Sequence, residues 1–348
     1  TLRFGNKRLD NITSISYAQT NQRQEVEQYY YEIFDPARQK SGQRYKYNDV
    51  RFVQTSRLGL LSNFTFEFNP SHKLEFRNFY NQQGQNQSTL REGTENLQGF
   101  DVKNQSFNYF SRGIYSGQLS GKHSFSDAIN FNWIVGYNST KAEQPDYRRI
   151  RSQRATGSTD DYNIVIPPGA SAFDAGRFYS TLNEKAYIAT GNLEFKLNPS
   201  ADENKQAKIT TGYYLEQKDR TFDARWMSYK WISPSTVDLS LLNQPFNTIF
   251  DQQNLGTKFV LEEGTNEGPS LYDKYDGHNQ LIAGYAGVVT PFGDKFRLST
   301  GMRVEYNLQQ IDVYSASGIK KQVVNSPVTV PMPFFNLSYN FTEKMLMR

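Results

Sequence analysis

The stretch FRLSTGMRVEYNLQ, Phe296 to Gln309, alternates almost without a slip. Phe296, Leu298, Thr300, Met302, Val304, Tyr306 and Leu308 share one face of an extended chain, and Arg297, Ser299, Gly301, Arg303, Glu305, Asn307 and Gln309 share the other. A period of two predicts a β-strand with one oily and one wet face. The run exceeds the roughly 5 to 6 residues of an ordinary globular strand and suits the about 9 to 11, plus interfacial ends, of a tilted strand crossing an outer membrane. Shifting the register by one would turn Arg297, Arg303 and Glu305 onto the oily side, at about 2 to 4 kcal/mol for each basic residue near a bilayer midplane. The wet face is too charged for a dry core, because unpaired buried charges are costly, so it lines water or a polar plug.

Composition agrees with that strand. Aromatic residues make up 15% of the 348 residues, yet the mean hydropathy is -0.71. No run approaches the roughly 18 apolar residues of a spanning helix, so membrane residence would be that of a barrel, whose strands turn half their side chains to water. The absence of cysteine excludes a disulfide framework and a cysteine metal site. A net charge of +4 is modest, and no basic stripe interleaves with stacking aromatics, which sets nucleic acid aside as a partner. His72, His123 and His278 fall in no spacing suited to a metal or a nucleophile triad. Neither catalytic residue, metal nor cofactor is expected, and the chain is not read as an enzyme.

The same rhythm recurs on both sides of the opening strand. Before it, Leu281, Ala283, Tyr285 and Val289 are assigned to an oily face that leads through the turn Phe292, Gly293, Asp294. Further back come Ile209, Thr211, Tyr213 and Leu215, then Tyr187, Ala189, Leu193 and Phe195, then Ile129, Phe131, Trp133, Val135 and Tyr137. Earlier still are Phe107, Tyr109, Tyr115 and Leu119, then Leu74, Phe76 and Tyr80, then Leu58, Leu60, Phe64 and Phe66, then Thr13, Ile15 and Tyr17. After it, Phe335, Leu337, Tyr339 and Phe341 precede a turn at Thr342 to Lys344. About ten strands plus two interrupted ones are expected. Short turns alternate with long polar connections at Asn21 to Asn48, Gln82 to Asn104, Lys141 to Asn183, Phe222 to Asp276 and Asp312 to Val330. Such asymmetry is that of outer-membrane barrels, short on the periplasmic side and long on the extracellular side.

The densest basic segment, Tyr147, Arg148, Arg149, Arg151 and Arg154, lies in one long connection. It suits capture of an anionic ligand or of lipopolysaccharide phosphate, or it pairs locally with Asp160 and Asp161, the reading favoured for surface charges. Trp226, Tyr229 and Trp231 in the longest connection serve either recognition or the packing of that segment onto itself. Asp273, Asp276 and Gly277 read as a turn at a strand entrance, since their spacing is not that of an EF-hand. Inward charges, among them Arg77, Arg112, Arg297, Arg303 and Glu305, suit either a wall bonded to a folded plug or an open aqueous pore.

The segment PFFNLSYNFT, Pro333 to Thr342, with LIAGYAGVVTPFGDKFRLSTGMRVEYN before it, resembles the middle of the barrel of TonB-dependent outer-membrane receptors, in the branch typical of Bacteroidota. The resemblance covers about Asn279 to Arg348 and elsewhere rests on architecture. It implies an all-β fold, an antiparallel transmembrane β-barrel of about 22 strands with an N-terminal plug and a TonB box. It further implies import of a scarce nutrient, such as a siderophore, glycan or peptide, energised from the inner membrane. No plug, TonB box or terminal aromatic strand is found in the sequence, so residues 1–348 are read as one outer-membrane barrel segment. Implied partners are outer-membrane lipid and lipopolysaccharide, the protein's own plug domain and TonB system, and a surface lipoprotein or other outer-membrane subunits. The alternative is a structural or accessory barrel that scaffolds a multiprotein membrane complex.

Overall fold

A computed structural model describes residues 1–171, 173–201, 205–263, 274–293, 295–314, 319–342 and 345–347. Ten long strands carry the fold: β2 (Lys7–Tyr31), β3 (Gln43–Asn69), β4 (His72–Glu95), β5 (Phe100–Ser124), β6 (Ile129–Ile150), β9 (Ala175–Lys196), β10 (Lys208–Trp231), β12 (Lys274–Phe292), β13 (Phe296–Tyr314) and β14 (Lys320–Thr342). Two short ones stand at the ends, β1 (Leu2–Phe4) and β15 (Met345–Met347). Three more, β7 (Ser152–Ala155), β8 (Asn163–Ile164) and β11 (Phe259–Glu263), lie in the connections. All the long strands pair antiparallel with their neighbours in chain order, in one continuous sheet. The expected all-β antiparallel class and its ten long strands are therefore observed among the described residues.

Directly opposed residues share a face, so the register sorts the side chains. One row runs Phe64, Phe76, Leu119, Val135, Ala189, Leu215, Ile282, Tyr306 across β3 to β13. These and neighbouring apolar side chains are uncovered, with Val135 53% and Phe335 71% exposed. A row on the opposite face runs Glu67, Lys73, Lys122, Asn132, Asn192, Gly212, Tyr285, Arg303. A single sheet with one bare oily face and one charged face has no core of its own, because none of the described residues covers the oily side.

Two expectations need correcting. First, the face assigned in β12 is inverted: Ala283 pairs with Glu305 and Tyr285 with Arg303, so both lie on the charged face, while Ile282 and Val288 are exposed on the oily one. Small and apolar residues occupy both faces of LIAGYAGVV, which erases the contrast on which period reading depends. The Tyr285 hydroxyl donates to Asn192 Oδ1 at 2.6 Å. It crosses β10 at Gly212, where an added Cβ would come 2.6 Å from the Tyr285 ring.

Second, most of the expected loops are strand. β2 and β3 stay paired up to Tyr31 and Gln43, and β4 and β5 up to Glu95 and Phe100, so the connections Asn21 to Asn48 and Gln82 to Asn104 shrink to residues 32–42 and 96–99. Asp276 and Gly277 likewise sit inside β12 rather than in a turn. Asp273, Asp294, Glu343 and Lys344 lie outside the described residues. The main-chain ladder continues where both faces meet water, but hydropathy no longer alternates there, so the sequence shows only a polar run. At this outer end the described parts of two long connections, 151–171 and 232–263, build a cap with a core of Ile164, Ile166, Trp231, Leu241, Leu242, Ile249 and Phe259. The Ile164 N–H donates to the Leu242 carbonyl at 2.9 Å and ties the two together.

Candidate functional site

Period two in β3 places Tyr45, Tyr47, Asp49 and Arg51 on the charged face, well beyond its oily band. The other face at this level carries Asn48, Glu92 and Lys103 in one row, so water bathes both sides. Arg91 of β4 stands opposite Asp49 and grips it with Nε to Oδ1 at 2.7 Å and Nη2 to Oδ2 at 2.9 Å. Arg51 adds a bond to Oδ2 at 2.8 Å and Gln28 Nε2 another at 3.1 Å. Asp49 is almost fully buried, and that alone would raise its pKa. The hydrogen bonds from Arg91 and Arg51 outweigh it and hold the carboxyl below its ordinary value. Arg91 also lies 4.6 Å over the Tyr47 ring, which stacks on Tyr45 at 4.4 Å, and Tyr45 stacks on Tyr30 at 5.6 Å. The Tyr47 hydroxyl donates to Glu95 Oε1 at 2.7 Å; burial first, then this bond, raises its pKa.

The register of β6 slips between Gln144 and Tyr147, and with it the inward set changes from even to odd numbers. Tyr147 then joins Phe178 and Trp226 in one row on the charged face, and Arg149 joins Ser106. The Arg149 guanidinium lies 5.5, 5.3 and 5.0 Å from the rings of Tyr147, Phe173 and Trp226. Burial lowers its pKa, against the pull of Tyr147 and Asp174, yet a guanidinium stays charged. Arg151 donates to Glu95 Oε2 at 2.6 Å and Gln98 Oε1 at 2.9 Å.

Together these residues line a cleft of about 480 Å³ beneath the cap. Its wall holds four guanidiniums, Arg51, Arg91, Arg149 and Arg151, against two carboxylates, Asp49 and Glu95, with Tyr47, Tyr147 and Phe173 between them. Such a lining offers fork-shaped donors and ring faces to an anion. Among the described residues no three His, Asp or Glu side chains converge where a metal would sit.

Of the residues singled out by sequence, Tyr147, Arg149 and Arg151 meet in the cleft, and Trp226 touches it through Arg149. Arg148 points away, bonded to Asp146, and Arg154 lies over Tyr162 and bonds the Asp160 carbonyl, with Asp101 at 3.8 Å. Trp231 is 6% exposed and packs in the cap core, edge-on to Phe259. Arg77, Arg112, Arg297, Arg303 and Glu305 all fall on the charged face by register. Tyr47 and Arg91 fall inside stretches expected as loop, and Asp49 and Arg51 lie just beyond one, ahead of the oily alternation that starts at Leu58, so the sequence reading marks none of the four. The two-residue spacing of Tyr45, Tyr47, Asp49 and Arg51 was the available signal.

No protein-family model matches the chain, and no curated protein sequence matches it. Among solved structures it is similar to the ferric-catecholate import receptor Fiu from E. coli K12 in its closed form. The identity is 11%, over 96% of this chain and 48% of that one, with a TM-score of 0.47. It is also similar to the siderophore receptor PiuA from Acinetobacter baumannii, at 8% identity over 84% of this chain and 45% of that one, with a TM-score of 0.31. The chain spans about half the length of each.

Proposed function

We propose that this chain is part of the wall of an outer-membrane β-barrel receptor that captures an anionic nutrient in the arginine and tyrosine cleft and passes it inward. The observation that carries the reading is the bare oily face of a single sheet, with a charged face behind it ending in that cleft. Lipid solvates the first face, and a plug or water solvates the second. β3, 27 residues long at about 3.3 Å each, extends roughly 90 Å. An apolar band is about 25 Å tall, so the cleft stands far outside the bilayer, on the side from which nutrient arrives. The resemblance of Asn279 to Arg348 to TonB-dependent receptors supports energised import, with a plug and the TonB system as partners, in a Bacteroidota-type branch. Siderophores, acidic glycans and acidic peptides all fit the cleft's charge.

Arg149→Gln tests this. In cells fed a panel of anionic ferric chelates, acidic oligosaccharides and acidic peptides, the one ligand taken up should be lost or bound at least about tenfold more weakly by the variant. Surface display should be unchanged. Uptake of every probe at wild-type rate by the variant would sink the assignment of the cleft. A second reading, a scaffold barrel holding a surface lipoprotein, draws on the cap, which leaves Val237 and Leu239 exposed above its own core. Stable co-purification of a cap-bound subunit, lost on Leu239→Asp, would favour it.

A further inference from the structure

At the short-turn end of the oily face, three side chains form one hydrogen-bonded chain across three strands. His72 of β4 and His123 of β5 are direct register partners, and Phe131 of β6 stands beside His123, two residues before Trp133 on the same face. The Trp133 Nε1–H donates to His123 Nε2 at 3.1 Å, and the Nδ1 atoms of His123 and His72 are 3.2 Å apart. Gly121 leaves room for this contact: an added Cβ there would run into the indole nitrogen and come 2.6 Å from His123 Nε2.

The chain fixes the place of every proton in it. An indole N–H can only donate, so His123 Nε2 carries a lone pair and the ring proton sits on Nδ1. His72 Nδ1 accepts that proton's hydrogen bond and is therefore bare, which leaves the proton of His72 on Nε2. Both imidazoles are neutral while the chain is intact. A proton added to His123 lands on Nε2 and faces the indole N–H. One added to His72 lands on Nδ1, against the N–H of His123, and the pair stays bonded only if the His123 proton moves to Nε2, where it again faces the indole. Either way Trp133 loses its acceptor.

The surroundings give the incoming charge no partner on this face. The row across the sheet runs Asn69, His72, His123, Phe131, Leu193 and Thr211, with no carboxylate in it. Glu67, Lys73 and Lys122 occupy the opposite face, and Asp127 is exposed in the adjoining turn. One protonated imidazole repels a second charge 3.2 Å away, so the pair takes up a single proton. The Phe125 ring, 5.8 Å from that of His72 and 6.0 Å from that of His123, offers the cation a π face.

We infer that His72, His123 and Trp133 are a proton-operated latch on the short turns. Closed while both imidazoles are neutral, it ties the ends of β4, β5 and β6 together. Capture of one proton by the pair frees the indole and loosens residues 70–71 and 125–128. The latch is separate from the cleft, which lies at the outer end of the other face.

The test follows the three indole N–H signals of the detergent-extracted, isotope-labelled protein by NMR from about pH 8 to 5, the range in which imidazole changes charge. Trp133→Phe identifies the signal of Trp133. That signal should move from its hydrogen-bonded to its free position as pH falls, while those of Trp226 and Trp231 stay. Amide exchange in residues 70–74 and 121–133, corrected for its intrinsic pH dependence, should quicken about fivefold over the same range. His123→Gln, whose amide oxygen accepts from the indole at any pH, should remove both responses and keep the turns ordered. His72→Gln should keep the indole response, because His123 still titrates against the same N–H. A Trp133 signal that is unchanged across the range, or that moves alike in His123→Gln, overturns the inference. So does quickened exchange with the indole still bonded, which would place the titrating group elsewhere.

Discussion

The two halves of each long strand obey one hydrogen-bonding rule and two different solvents. Toward the short turns, Phe64, Phe76, Leu119 and Val135 are bare on one face while Lys73, Lys122 and Asn132 hold the other. Toward the cap, Asn48, Glu92 and Lys103 replace the oily row, yet the ladder runs on without a break between β3 and β4 up to Tyr45 and Glu95. Alternation thus marks the boundary between two solvents rather than the presence of a strand.

Order in the outer half must come from elsewhere, and the buried Asp49 with Arg91, Arg51 and Gln28 supplies it. Arg91→Ala should destabilise the outer half by about 3 kcal/mol, since it leaves a buried carboxylate short of its main partner. Amide hydrogen exchange would read this as fast exchange in residues 43–55 and 85–95, with the Phe64 and Phe76 row unchanged. Equal loosening of both halves would mean that they are one cooperative unit.

A charge placed on the outward face should distinguish the halves next. Leu119→Arg is expected to cost about 2 to 4 kcal/mol in denaturant unfolding from vesicles. Ser88→Arg, outward in the outer half, should stay within about 0.5 kcal/mol. Similar costs at both sites would remove the lipid from the argument. Smaller again is Tyr285→Phe, which loses the bond to Asn192 and about 1 kcal/mol. A neutral result would return Tyr285 to the oily face.

How much was legible follows the same division. The phase of Phe296 to Gln309 is legible in the sequence, because Arg297, Arg303 and Glu305 leave no choice of face. The phase of β12, with small and apolar residues on both faces, is not legible, and its pattern suggests the inverted face. The cleft was half visible: Tyr147, Arg149 and Arg151 stand out as a basic run, whereas their partners Tyr47, Asp49 and Arg91 come from strands 40 or more positions away. No spacing rule reaches across a sheet, and the slip between Gln144 and Tyr147 that turns Arg149 inward is marked in the sequence only by Pro145, which cannot donate to the ladder.

The mildest perturbation is pH. The folded pKa of Asp49 lies below its ordinary value of 3.8, so its ion pairing contributes stability that is complete above that value and is lost as pH falls through the lower, folded pKa. Exchange protection of the outer half should therefore hold level from pH 7 to about 4.5 and decline only below about 4. A decline beginning near pH 5 to 6 would mean that Asp49 is not held by Arg91 and Arg51 as an anion. The outer half would then owe its order to the cap instead.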